Sequence, residues 1–301
     1  MDKTKRKLIE YLLFAYFVLF PFGQVLRWEA TVGNSIIPIN LTDLVAGAIF
    51  FLGLLSKLRR PAVFGYIKNF IYLAGFSLLV SIGVFKNFSV VFGALYLLRL
   101  ISYSYLFLVA WNIIKDKNKW FGLLLGVSFA VGIFGWFQYF FYPDLRALYA
   151  WGWDDHLFRL VGTFLDPTFT GIILVFGFIL SASSFLFKKQ RKFLFLSLFF
   201  LISVAFTYAR AAYLGLLAGS FLIFILKKNL KLAAVTVGVF LALVVALPRP
   251  SGEGVKLERS YSVYARLINY QETLTIIGKS PLFGVGYNNL CLAKQKYLGA
   301  F

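Results

Sequence analysis

The chain has 301 residues, 60% of them hydrophobic and 20% aromatic, and its 31 Lys and Arg against 12 Asp and Glu give a formal charge of +19. Soluble domains average about half apolar and about a quarter charged, and disordered chains are poor in aromatics, so a chain with 14% charged residues fits neither class. Cys291 is the only cysteine, which excludes an internal disulfide scaffold and leaves a polytopic membrane protein.

A helix needs about 20 apolar residues to cross a bilayer. Runs of this kind predict spans near 8–26, 41–56, 67–85, 90–114, 120–142, 168–187, 193–207, 212–226 and 232–247. The runs are continuous rather than alternating, which favours helices over strands. The expected fold is therefore all-α, with about nine to ten transmembrane helices in a single membrane domain, 1–301, carrying outer loops at 143–167 and 248–301. The first run follows Lys3, Lys5, Arg6 and Lys7 in the manner of a signal peptide. It has no small-residue cleavage site and many spans follow it, so it reads as a retained first helix.

Every second connection is basic. The N-terminus, the turn with Lys57, Arg59, Arg60 and Lys68, and the turns at 115–119, 188–192 and 227–231 together hold 18 of the 31 cations. Cytoplasmic loops retain Lys and Arg, so these face inward and the N-terminus is cytoplasmic. That side carries 18 cations and three acids (Asp2, Glu10 and Asp116). The charge excess is an orientation signal rather than a nucleic-acid footprint.

The stretch 193–226 tests this scheme. One long helix would put the basic turns 188–192 and 227–231 on opposite sides of the membrane. Two helices with a turn near Tyr208–Ala212 keep both inside. Each arm is then about 15 residues, or roughly 22 Å, short of a hydrocarbon core of about 30 Å. The turn with Arg210 is expected in a recess below the outer surface, lined by protein or water.

Four places stand out against the apolar background. Arg210 presents a planar fork suited to phosphate, and a cation buried near the membrane is costly and usually functional. The segment Arg259–Ser280 reads as an outer helix. Its apolar stripe is Val263, Leu267, Tyr270, Leu274 and Ile277, and Arg259 and Arg266 stack on a polar face. The alternative for that helix is one lying on the membrane with its cations on headgroups. Arg99 lies inside the fourth span, either as a substrate contact or as a structural pair with another helix. Loop 143–167 brings Trp151, Trp153, Asp154, Asp155, His156, Arg159 and Asp166 together in sequence. Aromatic residues beside carboxylates suit sugar binding, and they also collect at bilayer interfaces for purely physical reasons. One His and one Cys give no zinc set. No P-loop is present, so neither metal nor cofactor is expected.

Three segments together resemble the O-antigen ligase-like superfamily, which includes the Wzy-type polysaccharide polymerases. They are Arg159-Leu-Val-Gly-Thr-Phe-Leu-Asp-Pro167, Thr207-Tyr-Ala-Arg-Ala-Ala212, and Arg266 followed by Pro281-Leu-Phe-Gly-Val-Gly-Tyr-Asn288. The resemblance covers roughly 150–290, while the earlier spans match only in character. It implies an inverting glycosyltransferase, working without metal or nucleotide sugar, at the outer face of the cytoplasmic membrane. The donor would be an undecaprenyl-diphosphate-linked glycan, and the acceptor a glycolipid, glycan or protein. By the resemblance Arg210 and Arg266 would hold the diphosphate leaving group. Arg259, Arg159, Arg99 and Asp166 are expected to bind substrate from their own placement in the sequence, not from the resemblance. Ala209 stands where the family usually has Ser, and Thr168 where it has Asn. The family also carries a histidine in the outer loop after the Gly-Val-Gly turn. This sequence ends at Phe301 within that loop, so either the sequence is C-terminally incomplete, which is the expectation, or the protein uses another base, for which Asp166 and Glu258 are weak substitutes. His156 is not a positional match for that histidine. The rival reading from another class is a transporter or flippase of lipid-linked glycan. Transporters often show repeated halves and broken helices, and the sequence shows neither.

Overall fold

The computed structural model describes residues 3–32, 35–85, 90–151, 153–154, 156–248, 250, 253–257 and 260–299. In chain order, α1 (Lys3–Leu19) leads through a 3₁₀ turn, Phe20–Leu26, into a hairpin of β1 (Arg27–Val32) and β2 (Ser35–Asn40). Then come α2 (Leu41–Leu54), α3 (Ala62–Phe85), α4 (Val91–Ile113), α5 (Lys117–Phe141), α6 (Pro167–Lys188), α7 (Arg191–Phe206), α8 (Arg210–Leu226) and α9 (Leu230–Ala246). Two further helices follow, α10 (Tyr261–Lys279) and α11 (Leu290–Leu298).

This is the helical fold of a membrane protein, with the hairpin as its departure from an all-α reading. Among the described residues, five helices are long and apolar enough to cross a bilayer: Lys3–Leu26, Ala62–Phe85, Phe92–Ile113, Lys117–Phe141 and Pro167–Lys188. Helices α2, α8 and α9 are apolar but shorter. Local signals mark several starts. Asp116 accepts from the amides of Asn118 and Lys119 at 3.0 and 3.1 Å to open α5. Asn229 accepts from Leu232 N to open α9. A side-chain acceptor at the N-cap satisfies amides that have no partner inside the helix.

The contacts gather in two compact units. The first comprises Met1–Tyr16, Leu41–Lys115 and Ser260–Phe301. In it α2 and α3 pack on α4, and the segment after α10 lies against α3 and α4. That segment needs Gly286. Its φ is +87°, and a Cβ there would sit 2.4 Å from the Cβ of Ser81. Buried Asn289 donates to Ser81 Oγ at 3.1 Å, which fixes the turn that the glycine allows.

The second unit comprises Phe17–Asn40 and Asp116–Arg259. Its core is a cluster from α5 to α9 that includes Leu160, Leu174, Phe178, Phe200, Val204, Tyr208 and Leu216. Association of helices in lipid depends on close backbone approach at small residues. Gly171 of α6 provides this against α8, where a Cβ would lie only 2.6 Å from the Cβ of Ala212. The β-hairpin pairs antiparallel, with Arg27 opposite Asn40 and Trp28 opposite Ile39. It meets loop 143–167 through the Arg27 guanidinium, 5.3 Å from the centroid of the Trp153 ring.

Candidate active site

The second unit builds a polar centre where α7 turns into α8. The turn Thr207–Ala209 is buried, at 0%, 1% and 2% exposure along its length. Helices α7 and α8 are 16 and 17 residues long, or about 25 Å each. The backbone of the turn closes on itself. Thr207 N and Tyr208 N donate to Val204 O and Ala205 O at 3.1 and 3.2 Å, and Thr207 Oγ1 accepts from Ala209 N at 3.2 Å. Tyr208 takes a left-handed φ of 50°, a conformation that costs a non-glycine residue free energy unless its surroundings impose it. The Tyr208 hydroxyl donates to Pro248 O, and Tyr213 OH donates to Ala205 O at 2.5 Å. These two phenols pin both sides of the turn.

Arg159 braces the turn from behind. It is only 6% exposed. Its Nε donates to Thr207 O at 3.0 Å and its Nη2 to Tyr208 O at 3.2 Å. The next residue continues the seam, with Leu160 N donating to Phe206 O at 2.9 Å. The last carbonyls of a helix carry its negative dipole end. A guanidinium on them removes that negative potential from the turn. Gln138 holds the same loop from α5. Its side-chain oxygen accepts from the amides of Val161 and Gly162 at 2.9 and 3.2 Å, and its Nε2 donates to Tyr142 O.

On the other side of the turn, α8 begins with Arg210. Its N-cap is Ala209, which offers no side-chain cap. Helix N-termini favour anions through their orphan amides and the positive dipole end. Arg210 is partly exposed, and its Nη1 donates to Leu257 O at 3.3 Å. The turn thus joins a covered negative helix end, an uncapped positive one and a guanidinium. This arrangement suits a phosphate or diphosphate.

Asp166 lies in the same unit as the N-cap of α6. Its Oδ1 accepts from Thr168 N at 2.6 Å and Phe169 N at 2.9 Å, with Pro167 in the first turn. His156 is buried at 7% exposure. Its carbonyl accepts from Leu145 N at 2.8 Å, part of the fold of loop 143–167. In that loop the Arg146 guanidinium and amide hold the Asp144 carboxyl down at about 2, below its ordinary value.

Two of the expected residues belong to the first unit. Arg99 of α4 makes an ion pair with Asp43 of α2 at 2.7 Å, and Tyr103 OH donates to the other Asp43 oxygen at 2.6 Å. The Arg99 guanidinium also lies 5.4 Å over the Tyr96 ring. Arg266 is exposed on α10, whose apolar stripe of Val263, Leu267, Tyr270, Leu274 and Ile277 is also exposed. Nearby, Lys294 ties α11 to α10 through Glu272 at 2.6 Å and Asn269 at 2.9 Å. Arg259, with Asp155 and Glu258, lies outside the described residues. Sequence reasoning passed over Gln138 and Asp43. Each is a polar residue at or inside an otherwise apolar run, which is a usable signal. Among the described residues no group of three or more His, Cys, Asp and Glu side chains gathers as a metal site.

Residues 195–300 match the family model described as O-antigen ligase, which supports the resemblance to the O-antigen ligase-like superfamily. The match takes in the turn Thr207–Ala212, Arg266 and the turn Pro281–Asn288. The segment Arg159–Pro167 lies upstream of it. No curated protein and no solved structure matches the chain.

Proposed function

We propose that this chain is a membrane glycosyltransferase of the O-antigen ligase or polymerase type. It transfers a glycan from an undecaprenyl-diphosphate donor to a glycolipid, glycan or protein acceptor at the outer face of the cytoplasmic membrane. The observation that carries this reading is the turn at Thr207–Arg210, where a guanidinium stands at an uncapped helix N-terminus and the opposing carbonyls are covered by Arg159. It falls within the residues that match the O-antigen ligase model.

The chemistry follows from charge. As the glycosidic bond to the diphosphate breaks, negative charge builds on the leaving oxygen. Preorganised donors aimed at developing charge lower the barrier without reorganising at the moment of reaction. Arg210 supplies a fork matched to phosphate oxygens, beside the orphan amides of α8. Arg266, on the α10 face, is the second guanidinium assigned to the diphosphate. Attack by the acceptor hydroxyl opposite the leaving group inverts the anomeric centre.

Binding of undecaprenyl diphosphate to the purified protein tests the assignment. Hydrogen bonds to charged groups contribute about 1.5–3 kcal/mol each, so Arg210→Gln is expected to weaken binding by about tenfold to a hundredfold. Unchanged affinity in a folded Arg210→Gln variant contradicts the role.

A further inference from the structure

The second unit has a distinctive opposite end. Away from the Thr207–Ala209 turn, helices α6 to α9 line an apolar cavity of about 150 Å³. Phe178, Ala182, Leu201, Phe224 and Val239 form much of its wall. Leu198 and Val235, also on the wall, are 42% and 58% exposed, so the cavity opens on the side of the bundle. Only two hydroxyls reach it. Ser197 is already bonded to Ser181 Oγ at 3.0 Å and Phe193 O at 2.7 Å, which leaves Thr236. An ordered water needs two to four polar partners, which this lining does not supply, so the cavity suits an apolar guest.

The rim has the opposite character. The turns 188–192 and 227–231 carry seven cations and no acid. They sit immediately beyond the cavity, since Leu186, Leu194 and Leu232 line it from within a turn of them. The turns also meet one another: Lys227 Nζ lies 3.1 Å from the centroid of the Phe187 ring. Lys188 Nζ lies over the rings of Phe121 and Phe193 at 5.9 and 5.7 Å. The cations of both turns are exposed, and the ring contacts hold Lys188 and Lys227 close to the cavity end of α6, α7 and α8.

We infer that this cleft binds one anionic phospholipid, with a segment of one acyl chain in the cavity and the phosphate on Lys188 and Lys227. The cavity requires an apolar guest and the rim an anion, and a phospholipid with net negative charge supplies both in one molecule. Orientation by positive loops alone would require the cations but no cavity beneath them. The site is separate from the diphosphate site, which lies at the other end of α7 and α8.

Native mass spectrometry of the delipidated full chain tests this with phosphatidylglycerol and phosphatidylcholine of the same acyl chains. One equivalent of phosphatidylglycerol is expected to bind about thirtyfold more tightly, the order given by two lysines near an anionic headgroup. Lys188→Ala with Lys227→Ala is expected to bring the two lipids level. Leu198→Trp is expected to remove the tight binding of phosphatidylglycerol. Val235→Trp on the exposed wall provides a second filling variant, and a thermal melt without lipid confirms that each is folded. Equal affinity for the two lipids in the unaltered chain overturns the inference. So does tight binding that survives both filling variants, or displacement of phosphatidylglycerol by an equimolar polyprenyl phosphate.

Discussion

Arg159 and Arg210 are close in the fold and differ in chemical role. Arg210 was legible in the sequence as a cation between two apolar runs, where its cost demands a reason. The environment of Arg159 was not legible, because its partners are the main-chain carbonyls of Thr207 and Tyr208, and carbonyls leave no mark on residue identity. The bonds assign Arg159 a bracing action: it holds the left-handed Tyr208 and neutralises the end of α7. Arg159→Ala leaves two buried acceptors without their donor, at about 1–3 kcal/mol each. The expected result is a lower melting temperature together with loss of glycan transfer. Arg159→Lys keeps the charge without the planar fork, and is expected to recover more of the melting temperature than of the transfer rate. Equal melting temperatures for Arg159→Ala and the unaltered protein contradict the brace. Arg99 makes a parallel point. Its position within an apolar run was visible, but its ion pair with Asp43 joins helices far apart in the chain.

At the scale of elements, hydropathy and charge carried much of the information. The basic turns at 188–192 and 227–231 argue for a break inside 193–226, and the chain turns at Thr207–Ala209 between α7 and α8. The hairpin Arg27–Asn40 escaped notice because it sits between two strong apolar runs and reads as their connection, although Arg27–Val32 alternates polar and apolar residues and Ser35–Asn40 does not. Packing was equally hidden, since a glycine in an apolar helix looks the same whether it faces lipid or a neighbour. Gly171 faces Ala212, and so sets how closely α6 approaches the first turn of α8. Gly171→Val overpacks that contact, at about 1–3 kcal/mol. It is expected to lower the melting temperature and displace Arg210 from its place. Gly238, with open space around the position of a Cβ, is the control. Gly238→Val is expected to melt within a degree or two of the unaltered protein, and equal melting for the two variants contradicts the packing argument.

The whole molecule is organised by its charge. A surplus of +19 would suit nucleic acid in a soluble protein, but here most of it lies in short turns between apolar helices. The few remaining arginines carry the functional reading, and one of them stands where helix ends, buried phenols and a second guanidinium converge. The central claim is that Arg210 and Arg266 act on the diphosphate of a lipid-linked glycan. Glycan analysis of a deletion strain complemented with Arg210→Ala or Arg266→Ala tests it most directly, with membrane insertion and expression of each variant verified. The account predicts that neither variant restores the glycan that the unaltered gene restores. Wild-type glycan from both inserted variants would contradict it.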